Sequence, residues 1–185
     1  MWLVAGYELP ATSYQLPATS YQLTMDTTAA VVDALERAPR IIVPLVREVP
    51  AALLKRRPAP QRWSAHEQAC HLAHVHALFF SRLDQMLREP APVITPYDPA
   101  TADPDDFLLQ MDLDDALQAF VSDRERLVER IRGLSEDEWQ KRAEHGEYSH
   151  YSVFIMLRHA ALHDFLHAYR IEEIVLKKDW NEGPR

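Results

Sequence analysis

The run Leu157-Arg158-His159-Ala160-Ala161-Leu162-His163-Asp164-Phe165-Leu166-His167 sets three histidines at steps of four. A helix turns about 100° per residue, so a step of four leaves successive side chains only about 40° apart. His163 and His167 therefore share a face and can reach one metal ion from it. Helical zinc motifs use this spacing, but with a glutamate directly after the first histidine. Here Asp164 and Phe165 follow, so no metalloprotease signature is present. The surrounding residues predict one long last helix, from near Ser152 to about Lys178.

Two imidazoles need a third ligand, and most of the remaining histidines lie far upstream. Nine occur in all, at 66, 71, 74, 76, 145, 150, 159, 163 and 167. Four of these fall in a segment that opens with Ser64-Ala65-His66-Glu67, a capping box. The segment continues through Leu72, Val75, Leu78, Phe79, Leu83 and Leu87 at helical spacing and stops before Pro90. It offers His71 and His74, three apart and on one side. His66 and His71 are five apart, roughly 140° around the helix, and do not point at the same ion. Three neutral imidazoles with an open position make the ligand set of a catalytic zinc-type site. Imidazole also suits nickel, iron or copper. A di-iron carboxylate site needs Glu-x-x-His on two helices. Asp164-x-x-His167 has the wrong acid and Glu67-x-x-x-His71 the wrong spacing.

Two further helices complete a bundle. From Asp26, a candidate cap, a segment runs through Val31, Val32, Leu35, Ile41, Ile42, Leu45 and Val46, with Pro39 and Pro44 expected to kink or divide it. A third helix is expected from near Asp112 to about Ile131, with Leu113, Leu117, Phe120, Leu127 and Ile131 on one side and Gly133 at its end. Ser135-Glu136-Asp137-Glu138 is another capping box, opening a short helix around Trp139. Residues 143–151 read as a loop, with His145 and His150 solvated. No strand pair with hairpin chemistry is evident. Residues 90–104 carry five prolines and make a long crossover between helices 2 and 3. The expected fold is all-α, a four-helix bundle over residues 25–185, where sites are built from side chains on facing helices.

Residues 1–24 differ in character. Leu9-Pro-Ala-Thr-Ser-Tyr-Gln15 is repeated directly as Leu16-Pro-Ala-Thr-Ser-Tyr-Gln22. Two copies are too few for a solenoid, so this segment reads as a flexible tail, and Met25 opens a more ordinary sequence. Across 185 residues, 28 acidic and 20 basic side chains give a net charge of −8. That disfavours nucleic-acid and anionic-membrane partners. Four glycines cannot supply a phosphate cradle of the common types, and the single cysteine, Cys70, excludes a disulfide or a four-cysteine zinc site. No apolar run reaches the ~18 residues of a membrane span, and no signal peptide is visible. A cytoplasmic location is the expectation.

Trp63-Ser64-x-x-Glu67-x-x-x-His71-Leu72 resembles the start of the second helix in the DinB-like, or YfiT-like, four-helix-bundle superfamily. Leu157-Arg158-His159-x-x-x-His163-Asp164-x-x-His167 resembles its last helix. Arg57-Pro58-Ala59-Pro60, Leu134-Ser135-x-x-x-Trp139 and the His145-Gly146 loop extend the likeness over most of residues 25–176. The resemblance implies a divalent metal held by His71, His163 and His167, with His74 as the fallback third ligand and His159 as a neighbour. Zinc or nickel comes first among the metals, with iron or manganese as alternatives. It also implies a homodimer, and a transferase joining a small-molecule thiol to an electrophilic substrate, since relatives include thiol-dependent S-transferases. Metal-activated hydrolysis and a metal-binding bundle without turnover are the alternatives. The chain departs from the family pattern after His167, with Tyr169 and Arg170 where Gly and Gln are common. Arg170 lies three past His167, on nearly the same face. It can form a salt bridge to a neighbouring helix or clamp an anionic thiol or substrate beside the metal. Glu67 can orient His71 or close its own capping box. Trp63 is expected to anchor the helix start, and Cys70 to pack as a small apolar residue.

Overall fold

The computed structural model describes residues 25–97 and 106–176. The repeat-containing tail, part of the proline-rich crossover and the expected end of the last helix near Lys178 lie outside the described residues. Four long helical stretches form the bundle. They are α1 (Met25–Glu48), the successive pair α3 (Ala65–His74) and α4 (His76–Arg88), α6 (Leu113–Arg132) and α8 (Val153–Leu176). Short helices α2 (Ala51–Leu54), α5 (Phe107–Gln110) and α7 (Glu136–Gln140) lie between them. α1 and α3 each pack against both α6 and α8. α1 and α3 therefore sit diagonally across the bundle, with α6 and α8 on the other diagonal. No helix among the described residues is long and apolar enough to cross a membrane.

The expected division of α1 does not occur, for the helix runs unbroken through Pro39 and Pro44. A proline inside a helix costs about 3 kcal/mol through its lost amide hydrogen bond and ring clash. Leu35, Ile42 and Val46 are almost wholly buried along one side of α1. Each contributes about 1.5–3 kcal/mol by leaving water, which offsets both prolines. The second expected helix is instead interrupted once, at Val75 (φ −74°, ψ −11°), where ψ departs from the helical value of about −42°.

A feature that sequence periodicity did not reveal is a two-residue parallel pair of β1 (Val93–Ile94) and β2 (Glu144–His145). It ties the chain after α4 to the chain before α8. Gly146 makes the approach possible, because a Cβ there would stand 3.0 Å from Pro96 Cγ. The bundle core has two parts. Leu83, Met86, Ile131, Met156 and Leu157 fill one end, and Ile42, Leu72, Phe120, Leu108 and Ile171 fill the other.

Candidate metal centre

The site starts from a well-anchored helix end. Ser64 caps α3, its hydroxyl accepting from the Glu67 amide, while the Glu67 carboxylate accepts from the Ser64 N–H at 2.8 Å and its hydroxyl at 2.7 Å. Arg57 Nε donates to both Glu67 oxygens at 3.0 Å. Burial pushes the fully buried Glu67 carboxyl up, but the hydrogen bonds from Arg57 and Ser64 outweigh it and hold the group below its usual range. This settles the competition over Glu67, which closes the cap and pairs with Arg57. Among the described residues His71 Nδ1 is buried without a hydrogen-bond partner, so Glu67 does not orient that ring.

One turn into α3, Gln68 and His71 face α8. His71 Nε2 lies 3.1 Å from His163 Nε2, and His163 Nε2 lies 3.0 Å from His167 Nε2. The three ring nitrogens all fall within 4.8 Å of one another. His71 and His167 are buried and His163 nearly so. Burial, then repulsion from His163 among its neighbours, holds His71 at about 3 and His167 at about 2. Burial, then the nearby His159 and Arg124, holds His163 at about 4. All three rings are therefore neutral near pH 7, with lone pairs available.

The donor set fits a cation. His167 Nδ1 donates to the buried Gln68 Oε1, which leaves the His167 Nε2 lone pair facing the other two rings. Neutral rings have too few protons to turn both Nε2–Nε2 contacts into good hydrogen bonds, since His163 takes part in each. A divalent ion accepting three lone pairs removes that conflict, and His71, His163 and His167 are the residues that would hold it. Gln68 was missed by reading for histidines alone, although it sits three before His71 and so shares its face. Replacing Gln68 with leucine is expected to weaken zinc binding about 10- to 100-fold, the usual effect of losing a partner that orients a ligating ring. A competition titration against a zinc-binding dye checks this, and unchanged affinity would remove Gln68 from the site.

The three rings form one wall of an open cavity of about 560 Å³, within the usual range for small-molecule sites. Half-buried Trp63 packs against the core at this end of the bundle, as expected, and also covers His71 (ring centroids 4.7 Å apart) and stacks over His167 (6.1 Å). Tyr97, Arg62, Glu173 and Arg170 also line the cavity. Arg170 is exposed and makes no ion pair among the described residues, whereas Arg62 and Glu173 stand 3.8 Å apart.

The remaining candidates separate from the triad. His74 is exposed and meets Phe107 edge-on, so it is not with the other three. His66 is buried beside the backbone of Leu108 and Met111. Cys70 is buried, which pushes its thiol up to about 12 and leaves it inert. His150 is exposed as expected. His145 is not solvated but half-buried, because the β1–β2 pair draws it against Tyr148 and Tyr151. Behind the triad lies a buried network on which sequence spacing was silent. Arg124 grips Asp164 with two hydrogen bonds, at 2.5 Å and 3.0 Å, and its Nε donates to His76 Nε2 at 3.2 Å. Burial pushes the Asp164 carboxyl up, against the pull of the Arg124 guanidinium.

The family model of the DinB superfamily matches residues 34–171. No curated protein matches the sequence. Among solved structures, the chain is similar to YfiT from Bacillus subtilis, described as a probable metal-dependent hydrolase with an unusual four-helix bundle topology. The TM-score is 0.77 at 20% identity, with 86% of this chain and 92% of that one covered. That structural likeness extends to the fold, and the family match spans the histidines of both helices and most of the bundle around them. The chain belongs to the DinB superfamily.

Proposed function

We propose that the protein is a divalent-metal-dependent transferase that joins a low-molecular-weight thiol to an electrophilic substrate, with the ion held by His71, His163 and His167. The observation that carries this reading is the make-up of the cavity beside the three rings. Among the described residues Glu173 is the one carboxylate that lines it, and it faces Arg62 at 3.8 Å. Hydrolysis is helped by a base that takes a proton from the attacking water, and no free carboxylate among the described residues lines this cavity. A bound divalent ion would ease ionisation of water as well as of a thiol, but a thiol, whose free pKa is about 8.5, needs less help to reach its reactive form where no base stands by. A divalent ion would supply a Lewis acid that favours the thiolate, the reactive form.

The chain's own residues do the rest. Trp63 and Tyr97 wall the site and limit water, and Arg170 offers a cation to a carboxylate on the thiol. Zinc or nickel suits three neutral imidazoles best, with iron or manganese behind them. Hydrolysis is the second reading, favoured by the likeness to YfiT, a probable metal-dependent hydrolase; it predicts turnover without thiol. Assaying zinc- and nickel-loaded protein with carboxylate-bearing thiols and an activated electrophile separates the two. Thiol-independent cleavage would replace the transferase reading, and no turnover of either kind would leave a metal-binding bundle. Arg170→Gln is expected to raise the KM for the thiol roughly tenfold, the loss of one charge-assisted contact, at unchanged metal content. An unchanged KM would dismiss the clamp.

We also retain the homodimer and the cytoplasmic location as proposals. Leu162, Leu166 and Tyr169 are exposed along one side of α8, a face that a second copy would cover. Sedimentation equilibrium reads the oligomer directly, and a monomer at tens of micromolar would reject it.

A further inference from the structure

Another cavity, of about 200 Å³, adjoins the first at His71 and His163. His71, His163 and Tyr97 line both. The second is walled by rings. His145 stands 4.6 Å from both Tyr148 and Tyr151, which are parallel to within 8° at 6.2 Å, and His159 lies 6.3 Å from Tyr148. Tyr148 is 46% exposed, so this aromatic wall is open to solvent at its mouth, while Tyr151 is buried.

The wall also carries polar groups with capacity to spare. Arg82 Nη2 donates to the Thr95 carbonyl at 2.6 Å. Arg82 also hydrogen-bonds the Tyr151 side chain, but it makes no ion pair among the described residues, and a guanidinium has five N–H donors. His145 Nδ1 accepts from the Glu147 amide at 3.1 Å, so the proton of the neutral ring sits on Nε2, a donor. The β1–β2 pair and the close passage of Gly146 past Pro96 bring these residues together from two distant parts of the chain.

A reaction between two molecules needs two places that meet at the reacting atoms, and here two cavities share the histidine wall. The first is the larger, at about 560 Å³. The second falls below the usual 300–1,000 Å³ of drug-sized sites, is ringed by aromatics and holds one cation, Arg82, with the exposed Glu147 as its one carboxylate among the described residues and no ion pair between the two. We propose that the second cavity binds the electrophile, a small planar unsaturated carboxylic acid whose carboxylate meets Arg82 and whose flat face lies against Tyr148. This rests on the transferase reading for its chemistry, though not for its binding. In the step it serves, the thiolate sulfur bonds to the β-carbon and the double-bond pair moves to the α-carbon. The α-carbon then takes a proton, replacing the one the thiol gave up.

The test is calorimetric binding of trans-cinnamate to the full-length protein, metal-free and zinc-loaded. Cinnamate is expected to bind both forms. Arg82→Gln is expected to weaken it roughly tenfold or more, since a charge-assisted contact is lost, and Tyr148→Leu severalfold. Arg88→Gln, on the exposed far end of α4, is expected to match the wild type. Thermal melting of each variant separates a lost contact from a lost fold. Wild-type affinity in correctly folded Arg82→Gln would overturn the proposal, as would weakening by Arg170→Gln instead, which places the anion in the first cavity. Absence of cinnamate binding to the wild type at millimolar concentration would also overturn it. The two readings fail separately. Arg82-dependent binding without thiol turnover sinks the transferase and keeps the subsite. Thiol turnover with Arg82-independent binding does the reverse.

Discussion

Replacing Arg124 with alanine is expected to lower the unfolding free energy by about 3–5 kcal/mol, the usual cost of stranding one member of a buried ion pair. The Arg124 and Asp164 side chains are only 2% and 3% exposed. Alanine removes two hydrogen bonds to Asp164, the donor to His76, and the guanidinium lying over the Phe120 ring at 5.2 Å. Asp164 would remain in the core without a counter-charge, directly after His163 in the chain. The double variant Arg124→Met, Asp164→Leu removes both charges together and is expected to recover most of the loss. Urea denaturation measures both. A loss below about 1 kcal/mol in the single variant, the range of exposed pairs, would show that water reaches the pair.

The second large effect is a pH dependence located at His76. The ring is 1% exposed and stacks on Phe120 at 5.4 Å, with Arg124 against its Nε2. Burial, then the positive charge of Arg124, pushes it down to about 3, from an ordinary 6.5. The unfolded chain takes up this proton near pH 6.5 and the folded chain does not. Stability contributed by His76 is therefore complete above about 6.5 and is lost as pH falls towards 3. The loss is about 1.4 kcal/mol per pH unit, or roughly 3 kcal/mol by pH 4. His76→Gln keeps an acceptor for Arg124 and removes the titration. Its stability is expected to fall less steeply between pH 6.5 and 4, by about one proton in the slope. Parallel curves for the two proteins would mean that His76 is charged in the folded state.

The helix starts at Ser64 and Ser135 were legible because a capping box is local, with both partners three residues apart. The facing of His163 and His167 was legible for the same reason, since helical geometry fixes it. That His71 rather than His74 meets them followed from family resemblance, because spacing left both on one side. What escaped the sequence is what distant segments do to one another. The fate of Pro39 and Pro44 depends on how much of α1 other helices bury. The β1–β2 pair joins residues about fifty apart through two residues each, too short to leave a period. Gln68 carries no metal-ligand signal of its own and gains its meaning from the ring it holds. Arg124 and Asp164 look like ordinary surface charges until α6 and α8 are packed. Arg170 could be read two ways, and its lack of an ion pair among the described residues, on the wall of the triad's cavity, supports the anion-binding one.

The account depends on three imidazoles from α3 and α8 sharing one cation. Crystals of the full-length protein loaded with zinc, measured on both sides of the zinc absorption edge, test this directly. One anomalous peak is expected about 2.0–2.1 Å from Nε2 of each of His71, His163 and His167, the distance of zinc–imidazole bonds. No peak between these rings in zinc-loaded crystals, or a peak that any one of the three fails to touch, would contradict it.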